Sequence, residues 1–140
     1  MWQVMGSIFY KDGYKYQIVE PHSCAIPIFP PRYISTPYIT LSVSGDLTIK
    51  EGYAFDGPSG PTIDTPSAMR GSLYHDVCYQ LMRLGLLDQS FREAADKMYR
   101  DTCIDDGMSR FRAWAHFDAL RLFGGKAASP TSERRILTAP

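Results

Sequence analysis

The spacing of apolar residues changes about halfway along the chain. In the first half, apolar and polar residues alternate on both sides of a turn at Ser44-Gly45-Asp46. The apolar positions of this alternation are Ile39, Leu41, Val43, Leu47 and Ile49. Alternation around a glycine-containing turn predicts a β-hairpin. A turn signal at Asp12-Gly13, followed by an alternating stretch at 14–19, predicts a further strand.

Prolines interrupt the pattern between these strands. Five of them lie between Pro21 and Pro37, around apolar residues such as Ile26 and Ile28. Because proline has no backbone N–H to donate, no long ladder can run through this segment. The sequence therefore predicts an extended, irregular arm over Pro21–Tyr38.

Helical spacing begins in the second half. The stretch Ser67–Leu84 has no proline, and its apolar residues recur at helical spacing over most of its sides. Thr65 and Pro66 suit an N-cap and a first helical position, and Gly85 suits a helix end. A helix that is apolar on most sides is expected to form the buried centre of a small domain.

Two further helices follow this central one. Ser90-Phe91-Arg92-Glu93 has the form of a capping box that opens a second helix, ending at about Asp105 before Gly107. Ser109 can cap a third, which Gly124-Gly125 closes. The apolar positions of the third helix are Phe111, Trp114, Ala115, Phe117, Leu120 and Leu122.

These elements indicate the α+β class. We expect a single domain over residues 1–125, because 140 residues suffice for one core. Its β-rich part covers residues 1–60 and its core of three helices covers residues 65–125. Residues 126–140 form a small, polar tail.

Composition excludes several classes of protein. Fifteen basic and 15 acidic side chains give zero formal charge, so we expect no nucleic acid as partner. No apolar run reaches the ~18–20 residues of a membrane span, and the N-terminus lacks the features of a signal peptide. Only Cys24, Cys78 and Cys103 are present, without metal-type spacing. They indicate a reducing, intracellular compartment in which the thiols pack as small hydrophobic groups.

The candidate chemistry lies within Tyr74–Tyr79. If the first two helices form an antiparallel hairpin around Leu86-Leu87, His75 and Asp96 are nearly equidistant from the link. At a rise of ~1.5 Å per residue, the two side chains should then lie within about a turn of each other. A carboxylate that orients a neutral histidine makes it a general base. A satisfied polar network in the helical core is the alternative interpretation.

A cation site is predicted beside this pair. Asp76 projects about 100° away from His75 around the helix, on a polar stripe. The loop Ala54–Pro61 offers the Asp56 carboxylate and the backbone of Gly57. Carboxylate and carbonyl oxygens suit calcium better than zinc.

The segment His75-Asp76-Val77-Cys78-Tyr79 resembles the active-site helix of the phospholipase A2 superfamily, with its prokaryotic branch the more similar. The resemblance implies that His75 is the general base, that Asp76 is a calcium ligand and that Asp96 orients the histidine. It also implies that Tyr79 joins the network. The family's disulfides are missing here, and its glycine-rich calcium loop is matched only in position.

A longer part of the chain is similar to small proteins of unknown function that are frequent in phage and prophage genomes. The similarity covers residues ~39–125. The matching segments are Gly52–Pro61, His75-Asp76, Ala95-Asp96 and Phe123-Gly124. It implies a phage origin and a location in a virion or the host cytoplasm.

Two functions remain open. The first is a calcium-assisted hydrolase of phospholipid or another ester. The second is a non-catalytic virion component, such as a tail or neck protein, with a relict His-Asp site. Its partners would be other virion proteins or further copies of the chain, bound through the Pro21–Tyr38 arm and the tail. A metal phosphohydrolase of the His-Asp class would need further ligands that this chain does not offer.

Overall fold

A computed structural model describes residue 8 and residues 10–13, 15–55 and 65–130. The described residues fall into two compact units, one within residues 8–55 and the other within residues 65–130. In the described chain the first unit contains the strands and the second contains the helices, which confirms the α+β class. That the two units form one domain stays a prediction.

The first unit contains two antiparallel sheets. One has three strands in the order β1-β2-β7, and the other has four in the order β3-β6-β5-β4. The strands are β1 Tyr10–Gly13, β2 Lys15–Ile18, β3 His22–Ala25, β4 Ile34–Ser35, β5 Ile39–Leu41, β6 Asp46–Ile49 and β7 Ala54–Phe55. The predicted hairpin is the pair β5 and β6, in which Leu41 lies opposite Leu47 and Ile39 opposite Ile49.

The Pro21–Tyr38 arm is more regular than the sequence predicted. Its two ends are β3 and β4, each paired with a neighbour of the four-stranded sheet. The prolines limit these ladders to four and two residues. Between them Ile26 and Ile28 are buried, so burial of alternate apolar side chains holds this segment against its own unit.

The three predicted helices are present in the second unit. They are α1 Pro66–Arg83, α2 Arg92–Asp105 and α3 Arg110–Phe123. α1 ends as expected, since Gly85 has φ +75° and donates to the Met82 carbonyl while Leu86 donates to that of Leu81. This pair of bonds is the Schellman motif, which satisfies carbonyls left free at a helix end.

The capping box predicted at Ser90–Glu93 does not form. The Asp88 carboxylate accepts from the Ser90 backbone N–H at 2.9 Å, and a short 3-10 helix, Gln89–Phe91, precedes α2. Ser90 already lies inside this helical turn, so it cannot occupy the extended N-cap position. Ser109 does cap α3, accepting from the Arg112 N–H at 3.2 Å.

Helix α2 packs against both α1 and α3. Arg70 pairs with Asp106 while His75 pairs with Asp96, so α1 and α2 are antiparallel. A shared apolar cluster joins the three helices and consists of Ala68, Tyr99, Cys103, Met108 and Ala113.

The outer side of α3 is unexpectedly exposed. Phe111 is 87 % exposed, Leu122 75 % and Phe123 77 %, whereas Ala113 and Phe117 are buried. Most of the apolar residues that the sequence placed on this helix therefore do not contribute to the core.

The start of the polar tail lies against the other helices. Ala128 is buried, and the carbonyls of Ala127 and Ala128 accept from Arg83 at 3.0 Å and Gln89 at 2.6 Å. Residues 131–140 lie outside the described chain.

Gly71 allows α1 and α2 to approach closely. A Cβ at this position would lie 2.9 Å from the Cys103 Sγ and 3.1 Å from the Tyr99 carbonyl oxygen. We expect Gly71→Ala to destabilise the protein by about 1–3 kcal/mol through overpacking, although alanine favours a helix by about 1 kcal/mol. Urea unfolding followed by circular dichroism measures the change.

Gly125→Ala is the matched control, because its Cβ would meet only Arg92 atoms at 3.8 Å. If the Gly71→Ala protein were at least as stable as the wild type, the close approach of α1 and α2 at Gly71 would be contradicted.

Candidate active site

His75 and Tyr79 share one side of α1 because they are four residues apart. Their ring centroids lie 4.0 Å apart, with the planes tilted by 36°. Both residues are buried, His75 with 7 % and Tyr79 with 4 % of its surface exposed. Buried polar groups of this kind require hydrogen-bond partners.

Asp96 of α2 is the partner of both. It has no exposed surface, and its Oδ1 lies 2.8 Å from the His75 Nε2. The same oxygen accepts from the Tyr79 hydroxyl at 2.7 Å. The antiparallel hairpin thus brings together the three side chains predicted to be catalytic, and their catalytic role stays a prediction.

The second carboxylate oxygen of Asp96 is held by basic residues that the sequence interpretation did not include. Arg121 of α3 donates to Oδ2 at 2.8 Å, and the Arg92 Nη1 lies 3.7 Å from the same atom. Arg92 was identifiable in principle, because it precedes Asp96 by four residues on one helix. Arg121 comes from a different helix, so only the pairing of α2 with α3 places it here.

These donors keep Asp96 ionised. Burial alone would raise the pKa of its carboxyl group, yet hydrogen bonds from His75, Tyr79 and Arg121 outweigh burial and lower that pKa below its ordinary value. Burial and the bond to Asp96 raise the pKa of the Tyr79 hydroxyl, so it remains a neutral donor.

The two nitrogens of His75 are therefore distinct. With Asp96 ionised, Nε2 carries the proton that is donated to Oδ1, and Nδ1 keeps the lone pair. This is the geometry in which Nδ1 can accept a proton from water.

Gly124, immediately after α3, is fitted closely against this network. Its φ of −79° is accessible to any residue, so the glycine is not needed for backbone conformation. A Cβ there would lie 2.5 Å from the Tyr79 hydroxyl and 3.1 Å from the Arg92 Nη1. The Phe123-Gly124 pair seen in the sequence thus has a physical reason, since a Cβ would collide with this network and, at 2.6 Å, with the Leu120 carbonyl oxygen.

A second polar pair adjoins the first. The Tyr99 hydroxyl lies 2.8 Å from the His116 Nδ1, and the Tyr99 ring meets the His75 ring edge-on at 5.7 Å. His116 therefore has a tyrosine hydroxyl as a hydrogen-bond partner. Burial, with the nearby charge of Arg112, lowers the pKa of His116, so it tends to remain a neutral acceptor.

The predicted calcium ligands are only partly in view. Asp76 lies half-buried on α1, whereas Asp56 and Gly57 lie outside the described residues. Among the residues that are described, no three His, Cys, Asp or Glu side chains are grouped to hold a metal ion. These residues by themselves do not fit a calcium site, so calcium stays a prediction that depends on the 56–64 loop.

The three cysteines, Cys24, Cys78 and Cys103, are buried thiols that form no disulfide, as the sequence predicted. Burial raises the pKa of the Cys103 thiol to about 12, which makes it unreactive as a nucleophile. None of the helices in the described chain is long and apolar enough to cross a membrane.

Comparison with known proteins identifies no relative: no family model, no curated protein and no solved structure matches this chain.

We expect Asp96→Asn to cost about 3–5 kcal/mol of unfolding free energy, since Arg121 would lose its buried partner charge. Because folding lowers the pKa of Asp96, its stabilisation is present above the unfolded value of about 3.9 and is lost as the pH falls further. The unfolding free energy of the wild type should therefore decrease as the pH drops below about 4. That of Asp96→Asn should decrease less. Urea unfolding at pH 7 and pH 3.5 compares them.

Asp118→Asn is the control, because Asp118 lies exposed on α3. If Asp96→Asn showed the same dependence on pH as this control, the ionised carboxylate would not stabilise the fold.

Proposed function

We propose that this protein is a hydrolase that activates water with His75, and that its substrate is a phospholipid or a related carboxylic ester. The observation that carries the proposal is the contact of 2.8 Å between the His75 Nε2 and a fully buried carboxylate. That contact favours the neutral tautomer in which Nδ1 keeps a lone pair, and the proposal makes this nitrogen the base.

The reaction follows from this geometry. Nδ1 of His75 takes a proton from water as the water oxygen attacks the ester carbonyl carbon. Asp96 stabilises the imidazolium that forms, and Tyr79 and Arg121 hold Asp96 in place. The tetrahedral intermediate then breaks its bond to the alcohol oxygen, which receives the proton back from His75. The products are a carboxylic acid and an alcohol.

Calcium bound at Asp76, Asp56 and Gly57 would supply an electrophile for the carbonyl oxygen. This part of the proposal rests on the resemblance to the phospholipase A2 superfamily. The general-base chemistry rests on the described residues alone.

We expect His75→Asn to reduce ester hydrolysis by about 10²–10⁴-fold, because it removes the base. The assay measures fatty acid released from short-chain phospholipid, with calcium and with a chelator. His116→Asn is the matched control, because His116 contacts Tyr99 rather than Asp96. Equal rates for wild type and His75→Asn would overturn the proposal, and a rate unchanged by the chelator would remove calcium from it.

A non-catalytic virion or assembly protein is the second candidate. The observation that favours it is the exposed apolar side of α3, formed by Phe111, Trp114, Leu122 and Phe123. Several large apolar side chains exposed on one helix can mark a protein interface. The Pro21–Tyr38 arm supports this candidate less than the sequence suggested, because its isoleucines are buried in their own unit.

The two candidates predict opposite effects of substitution. If the protein is a virion component, the double variant Leu122→Ser, Phe123→Ser should no longer be incorporated into virus particles. His75→Asn should be incorporated as well as the wild type. Immunoblotting of purified particles measures both. Circular dichroism should show native helix content for the double serine variant, since neither serine replaces a core residue. The same measurement checks that His75→Asn is folded.

A further inference from the structure

The Asp96 carboxylate accepts hydrogen bonds from two neighbouring helices, and each helix binds a different oxygen. Oδ1 receives hydrogen bonds from His75 and Tyr79 of α1, at 2.8 and 2.7 Å. Oδ2 receives a hydrogen bond of 2.8 Å from Arg121 of α3. Donors on both oxygens restrict rotation of the carboxylate about its Cβ–Cγ bond, so the position of Oδ1 depends on what holds Oδ2.

Arg92 and Arg121 have different parts in this arrangement. The Arg92 Nη1 is 3.7 Å from Oδ2, beyond hydrogen-bond range. Arg92 instead donates to the Leu120 carbonyl at 3.0 Å and to the Arg121 carbonyl at 3.5 Å. It therefore holds the last turn of α3, and that turn presents the Arg121 side chain to Asp96.

We propose that Arg121 is a positioning residue for the His75–Asp96 pair. By holding Oδ2 it keeps Oδ1 on the His75 Nε2–H, and this leaves Nδ1 as the nitrogen that would act as the base. Its own side chain is about a third exposed, and it acts through Asp96 without touching His75. The catalytic consequence rests on the proposed function, whereas the positioning itself does not.

Loss of Arg121 should loosen the bond to His75. Without it Oδ2 would be buried with only Arg92 nearby, at 3.7 Å. The carboxylate would then turn toward Arg92, which moves Oδ1, or take up a proton, which makes Oδ1 a weaker acceptor. Either change weakens the hydrogen bond from Nε2–H. A role limited to stabilising the fold would instead lower the unfolding temperature and leave the His75 bond intact.

The test is the imidazole Nε2–H resonance of His75 in the full-length protein labelled with ¹⁵N at histidine. The resonance is assigned by its absence in His75→Asn. In wild type we expect slow exchange of this proton with water. In Arg121→Gln exchange should be about tenfold faster, as loss of a charged hydrogen bond predicts. Arg121→Lys, which keeps the charge, should restore slow exchange in part.

Arg110→Gln is the matched control, because Arg110 lies exposed on the same helix. Exchange at the wild-type rate in a folded Arg121→Gln would overturn the proposal, whatever its unfolding temperature. Should the glutamine variant not fold, Arg121→Lys decides in its place: faster exchange than in wild type supports the proposal, and an unchanged rate overturns it.

The hydrolysis assay separates this inference from the proposed function. Arg121→Gln should lower kcat by about tenfold and leave KM unchanged, because Arg121 acts through Asp96. If His75→Asn hydrolyses ester as fast as wild type, the proposed function fails. The exchange measurement still decides the role of Arg121 in that case.

Discussion

A buried carboxylate is the constraint on which the helical unit depends. Asp96 has no exposed surface, and an ionised group in that position costs several kcal/mol unless donors replace the lost water. Its donors come from both neighbouring helices, with His75 and Tyr79 on α1 and Arg121 on α3. None of the three helices can shift without breaking a bond to this one group.

Two glycines follow from the same requirement for close approach. Gly71 lets α1 lie against Cys103 and Tyr99 of α2, and Gly124 leaves room for the Tyr79 hydroxyl beside Arg92. Both relieve a steric conflict with a neighbouring element, and neither has positive φ. The polar network and the backbone packing around it are thus parts of one arrangement.

The two sides of α3 have separate consequences for function. Its inner side carries Arg121 and His116, which bond to Asp96 and Tyr99 of α2. Its outer side leaves Phe111 and Leu122 largely exposed. The inner side therefore takes part in the polar network around Asp96, and the outer side does not. The site chemistry and the exposed surface can therefore be altered independently.

Local sequence determined the central hairpin, the three helices and most of the helix ends. Alternation of apolar and polar residues predicted β5 and β6, and helical spacing of apolar residues predicted the three helices. Gly85 and Gly107 end α1 and α2 in the left-handed conformation that glycine readily adopts. These features depend on near neighbours in the chain, so they can be inferred from residue type and spacing. The capping box at Ser90 was wrong because Asp88, two residues earlier, starts the helical turn first.

Tertiary structure decided what the chain pattern leaves open. His75 and Asp96 lie nearly the same number of residues from the link between α1 and α2. This was enough to pair them, since both helices have the same rise per residue. Distance from the link was not enough to identify Arg121, because its contact depends on how α3 rotates and where it crosses α2. For the same reason the sequence could not show that Phe111, Trp114 and Leu122 face outward. Spacing determines which residues share a helix face, but only packing decides which face is buried.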